Sequence, residues 1–185
     1  MNIGSLMEEE YYYEEFRVIP GFPDYQVSDM GRIWSNNIKM YLNGTKNDGY
    51  IVVKLYHKCV EHVKRIHVLI ASAFLENPES KPLVDHKNGD RSDNILSNLR
   101  YATLSENGQN RKVPSNNKSG VKGVSFNKQT GKWQAYIQID GIKVHLGLFK
   151  TIEEAQKARV AKANEVFGVY THSFSIIYSK YIQFE

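Results

Sequence analysis

"VDHKNGDRSDNILSNLRYATLSEN", residues 84–107, is polar, turn-prone and punctuated by a histidine and several asparagines. Two readings compete. Asn and Asp are the favoured residues of turns, so the stretch could be a surface loop. It also holds what hydrolysis of a phosphodiester needs, a base to activate water and a hard cation beside the leaving oxygen. Asp85 is a hard oxygen ligand, and His86 offers an imidazole, the side chain that takes up a proton near neutral pH. On an extended segment the two point to opposite sides, and a bend would let both address one phosphate. Thr103 to Glu106 reads T-x-x-E, a capping box. It predicts a helix with Asn107 in its first turn, where an amide carbonyl makes a neutral metal ligand. Between these points "NGDRSDNILSN" (88–98) is a turn-rich excursion that ends before the core anchors Leu99 and Tyr101. Asn98 is placed to bond backbone across it and orient His86, a supporting task.

Upstream, "EEFRVIPGFPDYQVSDMGRIW" (14–34) alternates short apolar runs with Gly and Pro, which predicts small strands and tight turns. "GYIVVKLYH" (49–57) and "EHVKRI" (61–66) read as a hairpin, and "HVLIASAF" (67–74) as a short buried helix stopped by Asn77-Pro78. His67 opens that apolar helix and reads as structural. Cys59, the only cysteine, reads as a small, partly buried side chain.

Downstream, "RKVPSNNKSG" (111–120) is linker-like. "KWQAYIQID" (132–140) and "IKVHLGLF" (142–149) then alternate strictly, separated only by Asp140-Gly141, the preferred type I′ hairpin turn. That turn pairs Ile139 with Ile142, Ile137 with Val144, Gln138 with Lys143 and Tyr136 with His145. Trp133, Ala135, Ile137, Ile139, Ile142, Val144, Leu146 and Leu148 are expected on one face. Thr151 to Glu154 is a second capping box, and Ile152, Ala155, Ala158, Ala163 and Val166 form an apolar stripe that seats the helix on that face. The opposite face, with Lys132, Gln134, Tyr136, Gln138, Lys143 and His145, suits base edges and phosphates, although an ordinary solvated face would look the same.

Composition narrows the class. A hydrophobic content of 41% supports packed cores, and no apolar run is long enough for a membrane span. One cysteine excludes an intrachain disulfide and a cysteine-based zinc site. The net charge is +4, yet five glutamates fall in the first fifteen residues, so the rest carries +9. A basic body suits a polyanion. The acidic N-terminus lacks the features of a secretory signal, and the expectation is a soluble protein of a reducing, intracellular compartment.

Taken with the preceding "RIHVLIASAFLENPESKP", the central stretch resembles the HNH homing endonucleases, in the subgroup whose third signature position is asparagine. The resemblance implies a ββα-metal fold with His86 as general base, Asp85 and Asn107 holding one Mg²⁺ (or Mn²⁺), and Asn98 as the structural asparagine. "FRVIPGFPDYQVSDMGRI" resembles the nuclease-associated module found ahead of such domains. "SGVKGVSFNKQTGKWQAYIQIDGIKVHLGLFKTIEEAQKAR" resembles the APETALA, or ethylene-response-factor, DNA-binding domain, which lays a three-stranded sheet in the major groove. There are departures. Phe16 stands where Trp is common, His67-Val68 replaces His-Arg, and Leu99-Arg100-Tyr101 replaces Leu-Glu-Trp. Ser125, Asn127, Gln138 and Lys143 replace base-reading arginines, so sequence preference does not carry over.

The expected architecture is α+β and multi-module: an acidic leader (1–13), an N-terminal module (14–60), an HNH domain (61–110), a linker (111–118), a three-stranded antiparallel sheet on one helix (119–168) and a tail (169–185). The expected partner is double-stranded DNA, contacted by Arg91, Arg100, Arg111, Lys112, Ser125, Asn127, Lys128, Lys132, Gln134, Tyr136, Gln138, Lys143 and His145. A membrane and a small-molecule cofactor are not expected. The chain reads as a monomer, with a dimer as alternative, of viral or phage origin. The competing function is a DNA-binding regulator with a vestigial nuclease module.

Overall fold

The computed structural model describes residues 13–111, 113 and 115–168, and the chain divides into two compact units. The leader, save Tyr13, the tail and Lys112 lie outside the described residues. The fold is α+β, with small antiparallel sheets and three α-helices among the described residues.

The first unit runs to Phe74 and takes in residues 94–96. β1 (Phe16–Ile19), β2 (Phe22–Ser28), β3 (Ile33–Ser35) and β4 (Met40–Leu42) make one sheet in that order. β5 (Thr45–Asn47), β6 (Tyr50–His57) and β7 (Val60–Arg65) make a second, and α1 (Ile66–Phe74) packs against β1, β2, β6 and β7. The predicted hairpin and helix are therefore present. Ile19, Val27, Ile33, Leu55 and Ile70 are all but completely buried. His67 is buried and stacks on Tyr50 at 5.0 Å between ring centroids, in keeping with a structural histidine. Cys59 differs from expectation. It is exposed, because it and Lys58 form the tip of the β6–β7 turn, both with positive φ.

The second unit holds residues 75–93 and the chain from Ser97. β8 (Leu83–His86) and β9 (Leu99–Ala102) form a two-stranded ribbon followed by α2 (Leu104–Asn110). β10 (Val124–Asn127), β11 (Lys132–Ile139) and β12 (Ile142–Phe149) form an antiparallel sheet in sequence order, followed by α3 (Ile152–Phe167). Asp140 and Gly141 have φ of 48° and 82°, the I′ signature, and the four predicted cross-strand pairs are all present.

The alternation of β12 does not survive to its end. The register slips between Ala135 and Tyr136, so Gly147 faces Ala135 and Leu148 faces Gln134. This bulge moves Leu148 to the polar face, where it is 41% exposed, and gives its apolar place to Phe149. The helix stripe also differs. Phe167, at i+4 from Ala163, is buried with Ile137 and Ala163, whereas Val166 is exposed. Val124, Ala135 and Ala155 form the other core cluster, with Trp133, Leu146 and Ile152 packed on it. Small alanines on both partners let helix and sheet approach closely. No helix among the described residues is long and apolar enough to cross a membrane.

Candidate active site

The ribbon sets Asp85 opposite Arg100 and His86 opposite Leu99. Both Asp85 and His86 lie within β8, so the chain bends after the pair and not between them. Gly89 N–H returns to the His86 carbonyl at 2.9 Å, and Lys87 N–H reaches the Asn98 carbonyl at 2.8 Å. The excursion that follows is tied up by its own polar side chains. Asn98 Oδ1 accepts from Asn88 N–H at 3.0 Å, and its Nδ2 donates to Asn88 Oδ1 at 3.0 Å and to the Asp93 carbonyl at 2.8 Å. Asn88 Nδ2 donates to Asp93 Oδ2, and Asp90 Oδ1 accepts from Ser92. Asn98 thus joins the two ends of the loop that begins at His86, the backbone-bridging position expected for it.

Asp85 and His86 are 6% and 4% exposed, which a solvated loop would not show. The Asp85 carboxylate is held from two sides. Arg100 donates to Oδ2 through Nε at 3.0 Å and Nη2 at 2.8 Å. Asn110 Nδ2 lies 3.0 and 3.1 Å from the two carboxylate oxygens and 2.5 Å from the His86 carbonyl. Asn110 is itself buried, and its Oδ1 has no hydrogen-bond partner among the described residues. An orphaned buried carbonyl costs about 1–3 kcal/mol, so it marks a place where another group completes the site.

Asn107 lies one turn before Asn110 and so on the same face of α2, half-buried, with no side-chain hydrogen bond among the described residues. The helix starts as expected. Thr103 Oγ1 accepts from Glu106 N–H at 3.2 Å, and Glu106 Oε2 accepts from Thr103 N–H at 2.7 Å. Lys81 Nζ lies 3.1 Å from Glu106 Oε1. Burial pushes the Glu106 carboxyl up, but the Thr103 and Lys81 hydrogen bonds and the Lys81 charge outweigh it and leave the pKa lowered.

Sequence reasoning missed Asn110 and the partner of Arg100. The i, i+3 spacing of Asn107 and Asn110 was the available signal for the first. Arg100, expected at DNA, is directed at Asp85, with its side chain 12% exposed.

The remaining predicted contacts are split. Ser125, Asn127, Lys132, Gln134, Tyr136, Gln138, Lys143 and His145 share the sheet face opposite α3, with no carboxylate among them. Gln134 Nε2 donates to Ser125 Oγ at 2.8 Å, and Lys143 Nζ sits 3.9 Å from the Tyr136 ring centroid. Lys128 is exposed just past β10, Arg91 is exposed in the 87–97 loop, and Arg111 is exposed after α2.

The oxygen donors grouped here fit a hard divalent cation. They are the Asp85 carboxylate and the unsatisfied Asn110 Oδ1, with the Asn107 amide on the same face of α2. Among the described residues no cluster of three or more His, Cys, Asp and Glu could hold a metal. The site would therefore lean on water and substrate phosphate for further ligands, the usual habit of Mg²⁺.

Comparison with known proteins finds matches to two parts of the chain. Residues 64–109 match the HNH endonuclease family, and residues 14–56 match the NUMOD4 motif. An uncharacterized HNH endonuclease, L247, of Acanthamoeba polyphaga mimivirus is 38% identical over 59% of this chain and 28% of its own length. DNA endonuclease I-HmuI of Bacillus phage SP01 is 32% identical over 52% of this chain and 57% of its own. H-N-H endonuclease F-TflII of Escherichia phage T5 is 32% identical over 49% of this chain and 48% of its own. The chain thus spans from 28% to 57% of the length of these relatives. The solved structure of the HNH homing endonuclease I-HmuI, described for DNA binding and cleavage, covers 81% of this chain and 88% of its own, at 25% identity and a TM-score of 0.51. Residues 64–109, which carry Asp85, His86, Asn98 and Asn107, are thus similar to HNH endonucleases, a phage homing endonuclease among them, and a match to the NUMOD4 motif lies ahead of them.

Proposed function

We propose that the chain is a metal-dependent endonuclease of homing type that cuts double-stranded DNA. The observation that carries this reading is the buried Asp85–His86 pair at the end of β8, its carboxylate oriented by Arg100 and Asn110 from a capped helix. Adjacent strand residues face opposite ways, so a phosphate addressed by both sits at the end of the ribbon, where β8 stops at His86. His86 takes the proton from a water that attacks phosphorus in line. Asp85 and Asn107 would hold Mg²⁺ or Mn²⁺, and such a cation would supply positive charge to the departing 3′ oxygen. Asn98 keeps the loop after His86 closed and the imidazole aimed. The products are a 5′ phosphate and a 3′ hydroxyl.

The polar sheet face of β10, β11 and β12 provides site affinity, docking in the major groove in the manner of the ethylene-response-factor domains. One site per chain makes a monomer a nicking enzyme. The relatives come from viruses and phages, which supports a virus- or phage-encoded protein.

The test uses supercoiled plasmid with Mg²⁺, for the wild type and His86→Ala, beside a structured RNA substrate. The expected result is relaxation of the plasmid by the wild type, loss of at least about 100-fold in the variant, and no relaxation in EDTA. Plasmid binding by the wild type without relaxation would establish a DNA-binding regulator instead, and preferential cleavage of RNA would replace the substrate.

A further inference from the structure

α2 is only seven residues long, and it is held from the side of the C-terminal sheet as well as from the ribbon. Such a short helix has little stability of its own, so its placement is set by tertiary contacts. Lys122, just before β10, donates from Nζ to the carbonyls of Gly108 at 2.5 Å, Gln109 at 2.8 Å and Arg111 at 3.0 Å. These are the orphan acceptors at the end of α2, and a cation is the group that suits them. Gln109 Nε2 donates to the Gln138 carbonyl at 3.3 Å, and its Oε1 accepts from Arg159 Nη2. At the other end, Ser105 Oγ accepts from Asp140 N–H at 2.9 Å.

Arg159 stands on α3 at the i+4 position from Ala155, inside the apolar stripe, and is 2% exposed. A guanidinium is an expensive occupant of a core position. Gly123 makes room for it. With φ of +70°, a Cβ there would lie 2.4 Å from the Tyr136 carbonyl oxygen and 3.0 Å from Arg159 Nε. Burial, with the Arg159 and Arg111 charges adding, pulls the Lys122 pKa down to about 8. One buried and one half-buried cation are thus kept against α2 where apolar residues would pack at less cost.

We infer that Lys122 and Arg159 of the C-terminal module are positioning residues of the nuclease site, acting through α2 to set Asn107 and Asn110 against Asp85 and His86. The inference rests on the nuclease reading above. It makes the sheet module a structural part of the active site as well as a means of holding DNA.

The experiment compares wild type with Lys122→Met, Lys122→Arg, Arg159→Met and Gln109→Leu. It reads kcat and KM on plasmid, the Mn²⁺ concentration giving half-maximal rate, DNA affinity in EDTA, and Tm. Removing a group that orients a metal-site residue costs about 10–100-fold in metal affinity or activity. The expected result is that Lys122→Met and Gln109→Leu lose about tenfold in kcat and need correspondingly more Mn²⁺. DNA affinity in EDTA stays within about twofold, and Lys122→Arg recovers most of the loss. Gln109→Leu removes no charge and keeps the inference testable should a cation variant fail to fold. A folded Lys122→Met that loses DNA affinity with kcat and Mn²⁺ requirement unchanged would make Lys122 a phosphate contact and overturn the inference. A wild type that never cuts would defeat the nuclease reading itself, an outcome distinct from either.

Discussion

Asp85 is the residue on which most of the local chemistry converges, and its buried carboxylate is met by donors from two sides. The carboxylate receives two bonds from Arg100 and two from Asn110. The ion pair is shielded from water, at 6% side-chain exposure for Asp85 and 12% for Arg100, so removing one partner takes away the opposing charge that the other faces. Breaking a buried pair in this way costs about 3–5 kcal/mol, far more than the pair contributes against an apolar replacement. Arg100→Met is therefore expected to destabilise the protein by about 3 kcal/mol in urea denaturation. Asp85→Asn in the same background is expected to recover part of that loss, although it removes the proposed metal ligand. Additive losses in the double variant would show that the two side chains do not depend on each other. The Asp85–His86 pair and Asn98 were legible in the sequence because their spacing is local. The Asp85–Arg100 contact was not, because it depends on how β8 pairs with β9 across fifteen residues, and residue type alone made Arg100 look like a DNA contact.

At the level of elements, local signals were read well and registers less so. The two T-x-x-E boxes start α2 and α3 where expected, and Asp140-Gly141 closes its hairpin with φ positive at both positions. Each of these is decided by hydrogen bonds within a few residues. The bulge in β12 is decided instead by how the strand fits Ala135 and the helix beneath, and Gly147, with φ of +133°, was its only trace. The α2 box also carries a pH dependence. The folded pKa of Glu106 lies below its unfolded value, so the carboxylate contributes stability that is present above the ordinary glutamate range. That stability is lost as pH falls through the lowered folded value. Glu106→Gln keeps an acceptor for Thr103 N–H but removes the charge that faces Lys81 and the helix N-terminus. It is expected to lower stability by about 1 kcal/mol at pH 7, with the difference from wild type closing as the pH drops below about 4. Denaturation of both proteins in urea between pH 7 and 3 checks this, and a gap that persists at pH 3 would assign the effect to packing.

On the scale of the whole molecule, charge is divided between two tasks that sequence could not separate. Lysines looked alike along the chain, yet Lys122 is spent on the end of α2 while Lys132 and Lys143 stand exposed on the polar face of the sheet. α3 packs on the other side of the sheet, and the I′ turn keeps Tyr136 opposite His145 and Gln138 opposite Lys143 on this face. Lys143 over the Tyr136 ring presents a cation beside an aromatic edge, and no carboxylate among the face residues opposes it. If these lysines meet phosphates, each releases roughly one counterion, and the dependence of affinity on salt reports their number. Replacing Lys132 and Lys143 together by Gln is therefore expected to weaken DNA binding, to lower the slope of log K against log salt by about 2, and to raise KM while leaving kcat unchanged. This is the opposite kinetic pattern from the one expected of Lys122→Met, although both changes remove lysines from one module. A slope that does not move would show that the polar face is an ordinary solvated surface and that the DNA lies elsewhere, whereas a fall in kcat would show that the face also helps to shape the site.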